Sequence, residues 1–341
     1  MNRLIILGNG FDLAHGLPTK YSDFLLYYLK KAISEVRQTR TKYRDPLINL
    51  NYPLGHLTKD DFNSYRTLVD SLLETGSPLS SYTPLTINKK GFLHKILSKG
   101  SLSKWQNLEL LYHDFIINLL DSLKSKKITD KTANTRLKEF HKSLEFFLQE
   151  FKLYLEQVVS PMIDKTESIE AFKKEFDSKE KLIFLNFNYT QTVRKYIKFE
   201  EAYIINIHGL ADSIESEICF GFGDEHSPRY DEIENLYENE FLKYSKSMFY
   251  SRDETYRHLL GLLSQKFKVD IFGHSCGITD RTLLKQIFED EHCVGIHYHY
   301  YSSRKDHREK YIELSRHFED KKRLRKIVRP AESSTPCPQL S

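Results

Sequence analysis

Four short apolar runs, unalternated and rich in β-branched residues, constrain the fold of this chain most: Leu4–Leu7 (LIIL), Lys181–Asn186 (KLIFLN), Tyr203–Ile207 (YIINI) and Val269–Phe272 (VDIF). A strand buried on both faces has no wet side to alternate with, so it reads as a continuous apolar run. Val294–Tyr300 (VGIHYHY) reads as a fifth strand and Ile218–Phe222 (ICFGF) as a weaker sixth. Helical stripes lie between them. Ser22–Gln38 carries Phe24, Leu25, Tyr28, Leu29 and Ala32 on one face, and Asp280–Phe288 and Tyr311–Phe318 read as shorter helices. Strand and helix alternate, which predicts an α/β fold: a parallel sheet with helices on both faces.

The middle of the chain breaks this rhythm. From about Thr58 to Met162 no strand pattern stands out, whereas Ser103–Lys124 and Thr135–Val159 are strongly helical. The expected organisation is an α/β core over residues 1–40 and 180–328, a helical insertion over 41–179 after the first strand–helix unit, and a disordered Pro/Ser-rich tail over 329–341. Residues 76–86 read as a loop, and KKRLRK at Lys321–Lys326 as a solvated basic helix end.

Composition narrows the function classes. Lys and Arg number 51 against 47 Asp and Glu, a net charge of +4 that provides no global basic footprint for nucleic acid. Cys219, Cys276, Cys293 and Cys337 form no C-x-x-C pair, which argues against structural zinc and for reduced thiols. No secretory signal and no apolar run near the ~20 residues of a membrane span is visible. The expectation is a cytoplasmic protein with no membrane partner.

The first run ends in Gly8-Asn9-Gly10-Phe11-Asp12. A glycine-rich turn from a strand into a helix presents backbone N–H groups to phosphates, and glycine permits both the tight turn and a close ligand. The dinucleotide fingerprint G-x-G-x-x-G fails at Leu13; the next glycine is Gly16, in HGLPT, and Thr19 or Ser22 is placed to cap the following helix. The stretch from Gly8 to Thr19 is longer than a simple connection and long enough to wrap a ligand. Ligands of parallel sheets bind beyond the carboxyl ends of the strands. There the other runs deliver Asn186–Thr190 (NFNYT), His208-Gly209, Gly221–Glu225 (GFGDE) and Gly273–Asp280 (GHSCGITD). Each segment alone has a structural reading as a turn or a strand end; together they predict a site at one sheet edge.

The combination LGNGFDLAHGLPTKYSDF, LNFNYT, IHG and FGHSCGITD, with WQNLE at Trp105–Glu109, resembles the AbiH family of bacteriophage abortive-infection proteins over Leu4 to about Tyr301. The resemblance implies a role in bacterial defence against phage. A more distant resemblance is to sirtuin-like NAD-binding domains. Gly8, Gly10, Gly16 and Pro18 match their first loop, Asn188 their asparagine, His208-Gly209 their His-Gly pair, and Gly273-His274-Ser275 their later G-x-S turn. It implies a Rossmann-like, sirtuin-like sheet and NAD as substrate or ligand, without the zinc cysteines or the flanking glutamine and aspartate needed for deacetylation.

On that resemblance, Asn188 would hold the ribose hydroxyls or a water, His208 would act as general base, and Asp12 would stabilise developing positive charge. Gly8, Asn9, Gly10, Phe11 and Gly16, with Gly273, His274 and Ser275, would bind the phosphates, and Asp280 would cap the last helix and fix the Gly273 loop. No metal is expected. Beyond a nucleotide, the partners this implies are a phage-derived trigger or partner protein, through the helical insertion, and a second copy of the chain. Three other readings stay open: a nucleotide-sensing module without catalysis, a nuclease holding Mg²⁺ on Asp12, Glu109, Asp224 or Asp280, and a scaffold without a ligand.

Overall fold

The computed structural model describes residues 1–54, 85–98, 105–197, 202–213, 217–223, 225–252 and 254–340. Asp224 and most of the 76–86 loop, through residue 84, lie outside the described residues. The chain forms two compact units. One comprises Met1–Pro18, Leu155–Tyr237 and Leu242–Ser341; the other comprises Thr19–Tyr154 and Glu238–Phe241. The strands are β1 (Asn2–Leu7), β2 (Tyr43–Arg44), β3 (Ile48–Leu50), β4 (Leu85–Ile87), β5 (Lys181–Asn186), β6 (Ala202–Asn206), β7 (Phe267–Phe272) and β8 (Cys293–His299).

In the first unit, five strands make one parallel sheet in the order β6-β5-β1-β7-β8. Counted within the sheet alone this is 3-2-1-4-5, the doubly wound order that reverses direction between its first and fourth strands. In β1, β5 and β7 the continuous apolar runs have the expected cause, whereas β6, at the sheet's edge, leaves Tyr203 exposed and is not buried on both faces. In β1, Leu4 and Ile6 enter one core while Ile5 and Leu7 enter the other, so both faces are covered. Burying all four at about 1.5–3 kcal/mol each makes β1 the central anchor of the unit.

Two expectations about this unit are corrected. The Ile218–Phe222 run adds no strand; Phe222 makes an isolated bridge to Ser245. Gly221 turns the chain there at φ +143°, with the Tyr244 carbonyl lying where a side chain would stand. The last residues are not a loose tail. Arg329 N–H donates to the Ile296 carbonyl at 2.8 Å, Cys337 N–H to Tyr300 at 2.7 Å, and Leu340 N–H to Ala14 at 2.9 Å. Composition cannot show this, because apart from the single turn Ala331–Ser333 the segment makes no element of its own; it is tied at separate points, to Ile296 and Tyr300 at the open edge of the sheet and to Ala14.

The second unit contains the helices Tyr21–Thr39, Phe92–Ser98, Trp105–Lys124 and Asp130–Tyr154, with a small antiparallel sheet β2-β3-β4. β4 lies where no strand was expected, since three residues are too few to display a period. Aromatic rings fill the core: Phe24 meets Phe147 edge-on at 5.2 Å between ring centres, and Trp105 lies 4.3 Å from Phe151. The Trp105 indole N–H donates to the Thr19 carbonyl at 2.9 Å, and Glu109 is buried. Neither Thr19 nor Ser22 caps the helix Tyr21–Thr39. Lys20 holds that position, and its backbone N–H donates to the Asp23 carboxylate at 3.2 Å. Among the described residues no helix is long and apolar enough to cross a membrane.

Candidate functional site

The reversal of the sheet lies between β1 and β7, and there the first turn of a short helix, Asn9–Ala14, which follows β1 directly where a long connection was expected, meets the glycine-rich loop after β7. Gly8 N–H donates to Phe272 O at 3.1 Å, Gly10 N–H to Gly273 O at 2.9 Å, and Phe11 N–H to Gly8 O at 2.8 Å. A side-chain carbon on Gly8 would fall 2.5 Å from the His274 Cα, and one on Gly10 would fall 2.7 Å from the Gly273 Cα. Gly273 itself has φ +67°, with Phe11 N 2.2 Å from where its Cβ would be. These glycines are needed because two backbones cross without room for a methyl group. The Gly8 and Gly10 N–H groups are spent on that crossing.

Asparagines brace the neighbouring strand ends. Asn188 Nδ2 donates to the Gly8 carbonyl at 3.1 Å, tying the loop after β5 to the loop after β1. Asn186 Nδ2 donates to Thr190 O at 2.9 Å and to Asn206 Oδ1 at 3.0 Å. Asp12 is buried and accepts from the Thr190 hydroxyl at 2.6 Å. Burial pushes its carboxyl up to about 6, against the pull of the Thr190 and Thr192 hydroxyls. Asn9 and Ser275 are half-buried beside the crossing, and Gly16 is exposed, at φ +71°.

Beyond the carboxyl ends of β6 and β7 lies a buried charged cluster. Lys246 Nζ, on the short helix Lys246–Tyr250, donates to Asp280 Oδ1 at 2.6 Å, and its side chain is 0 % exposed. His208 Nε2 is 3.3 Å from the same oxygen, and His274 Nε2 is 3.6 Å from the other. Phe187 packs against both imidazoles, with ring centres 4.9 and 4.3 Å away, and Tyr250 stacks beside His208. Burial lowers the His208 pKa to about 4, helped by the Lys246 charge and against the pull of Asp280. Burial pushes the Asp280 carboxyl up, but the Lys246 ammonium and the two histidines outweigh it and hold it well below the usual carboxylate range. At neutral pH the cluster is therefore one ammonium, one carboxylate and a neutral His208.

The structure brings His208, His274 and Asp280 together, sets Asn188 against Gly8, and gives Asp12 a separate partner set of threonines. Asp280 stands at the start of the helix Arg281–Glu289, but its side chain makes no capping bond. Its carboxylate turns to Lys246 instead, because an unpaired buried ammonium would cost several kcal/mol. Lys246 and Tyr250 escaped the sequence reading. They lie in YSKSMFY, where nothing marks a lysine as buried.

The strand order and the crossing loops define a doubly wound α/β protein with its candidate site at the carboxyl edge of the sheet. The family described as Bacteriophage abortive infection AbiH matches residues 4–301, and the chain belongs to that family. The match takes in β1 from Leu4, every later strand through β8, and every member of the Lys246–Asp280 cluster. Membership supports a role in bacterial abortive-infection defence. No curated protein and no solved structure matches the chain.

Proposed function

We propose that the protein serves abortive-infection defence by binding NAD or a related nucleotide at the carboxyl edge of its sheet and hydrolysing it. The observation that carries this reading is the convergence of His208, His274, Asp280 and Lys246 beside the reversal point of a doubly wound sheet, where such folds place their ligands. Nicotinamide leaves NAD as a neutral group from a cationic ring, so the protein has to stabilise positive charge on the ribose and deprotonate a water. Neutral His208 supplies the base, and Asp280 orients its ring and offsets the charge it gains. Asn188 anchors the loop beside Gly8, and its amide is the group for the ribose hydroxyls.

A second reading is nucleotide sensing without turnover; in both readings other groups would hold the phosphates, because the Gly8, Gly10 and Phe11 N–H groups already have acceptors within the chain. The nuclease reading has less behind it. Asp12 pairs with threonines, Asp280 with Lys246, and Glu109 belongs to the other unit.

The test is calorimetric titration of the purified chain with NAD, ADP-ribose and ATP, following nicotinamide release in the same samples. Hydrolysis requires binding and release by the native protein and loss of release in Asn188→Ala and His208→Ala. Cleavage left intact in both variants would refute the assigned roles. Binding without release selects the sensor, and no binding by any of the three removes the nucleotide reading.

A further inference from the structure

A second group of titratable side chains lies on β7 and β8 of the same sheet, and the proposed site does not use it. Asp270 on β7 pairs in register with His297 on the neighbouring β8, and His299 follows two residues later on the same face. Their sequence neighbours Val269, Ile271, Ile296 and Tyr298 point the other way, into the core on the far side. All three polar side chains are buried, and one ligand atom from each lies within 4.8 Å of the others.

We infer that Asp270, His297 and His299 form a binding site for a divalent transition metal, zinc being the ion that two imidazoles and one carboxylate suit best. This inference is independent of the nucleotide reading. Asp270 Oδ1 lies 3.3 Å from His297 Nδ1 and 3.3 Å from His299 Nε2. Those separations are long for charge-assisted hydrogen bonds, which run at about 2.7–2.9 Å. They match the edge of a tetrahedron of ligands around zinc, about 3.3–3.4 Å for bonds of about 2.0–2.1 Å. The surrounding groups orient the ligands. Arg3 Nε donates to Asp270 Oδ2 at 2.7 Å, leaving Oδ1 turned to the histidines. The Thr335 hydroxyl lies 3.0 Å from His299 Nδ1, where it would accept a proton carried on that nitrogen and leave Nε2 to ligate.

One conflict in the hydrogen bonding concerns His297. Thr335 N–H points at its Nε2 at 3.3 Å and Arg329 Nη1 lies 3.2 Å from its Nδ1, so two donors face a ring that, when neutral, has one accepting nitrogen. Arg329 thus holds a positive charge against the lone pair that would bind the metal. Both residues belong to the C-terminal segment along β8, and both are exposed. The metal and this segment compete for His297; a local shift of Arg329 and of the Thr335 N–H away from its ring, with the Thr335 hydroxyl kept on His299, opens the way in. Three protein ligands leave a fourth position for water, as in open zinc sites.

The experiment uses the full chain stripped with EDTA, titrated with ZnCl2 by calorimetry and with CoCl2 by visible absorption. The expected result is one equivalent of zinc at micromolar Kd or tighter, and a cobalt spectrum of low-coordinate nitrogen and oxygen ligation. His299→Ala and His297→Gln, each checked for native circular dichroism, should weaken binding at least tenfold. Arg329→Gln, outside the ligand set, should strengthen it several-fold. Absence of stoichiometric binding in both the native chain and Arg329→Gln overturns the site, as does binding that neither histidine substitution changes.

Discussion

Lys246→Met tests whether the buried cluster is held together by its central ion pair. The substitution keeps an unbranched stem of similar length and removes the charge. In the native protein the Lys246 side chain is 0 % exposed and its ammonium is 2.6 Å from Asp280 Oδ1. Removing one partner of such a pair leaves the other charge buried, at a cost of about 3–5 kcal/mol. Asp280→Asn should cost a similar amount, by stranding the ammonium. The double variant Lys246→Met/Asp280→Asn buries neither charge, so its cost should fall at least ~2–3 kcal/mol below the sum of the singles. In Lys246→Met the His208 pKa should also rise from about 4, because the neighbouring positive charge that helps depress it is gone. The single tryptophan, Trp105, belongs to the helical unit and would report the wrong unfolding event. Hydrogen exchange on peptides covering Phe267–Phe272 and Arg281–Glu289 reads the right one. Additive single costs, or a Lys246→Met cost within about 0.5 kcal/mol of zero, would show that the pair does not organise the cluster.

Three further outcomes follow from the structure. His208 and His317 are both buried with pKa values lowered to about 4, so below about pH 6.5 the unfolded chain binds protons that the folded chain does not. Each should remove roughly 3 kcal/mol of stability as pH falls from about 6.5 to about 4, visible as a falling urea midpoint that His317→Gln partly flattens. Asp12 acts with the opposite sign: its raised pKa of about 6 means that ionisation opposes folding as pH climbs from about 4 to about 7, so Asp12→Asn should gain stability relative to the native chain over that window. Gly10→Ala puts a methyl carbon 2.7 Å from the Gly273 Cα and 2.9 Å from its carbonyl oxygen, backbone atoms that cannot swing aside. It should cost at least ~2 kcal/mol, against under ~1 for Gly261→Ala, which meets nothing within 4 Å; equal costs in thermal unfolding would refute the crossing as the reason for glycine.

The sheet and its carboxyl edge were legible because burial on both faces of β1, β5 and β7 leaves a local mark. LIIL, KLIFLN, YIINI and VDIF lack alternation, and a parallel arrangement puts the loop after every strand on one side. His208, His274 and Asp280 could therefore be assigned to one edge from sequence alone. What those loops do to one another could not. Gly8 and Gly10 signal a close approach, but a glycine has the same sequence signature whether it admits a phosphate or the Gly273 backbone. Asp280 has the signature of a helix cap, and only the position of Lys246 reveals that its carboxylate turns inward. The Asp270–His297–His299 group depends on two neighbouring strands lying in register, and the final segment on an open edge that accepts hydrogen bonds from a chain with no pattern of its own. Sequence determines features that repeat along the chain, since periodicity and turn chemistry are local. Pairings between distant side chains are set by tertiary packing, because burial supplies their energy and burial is not a property of any one residue.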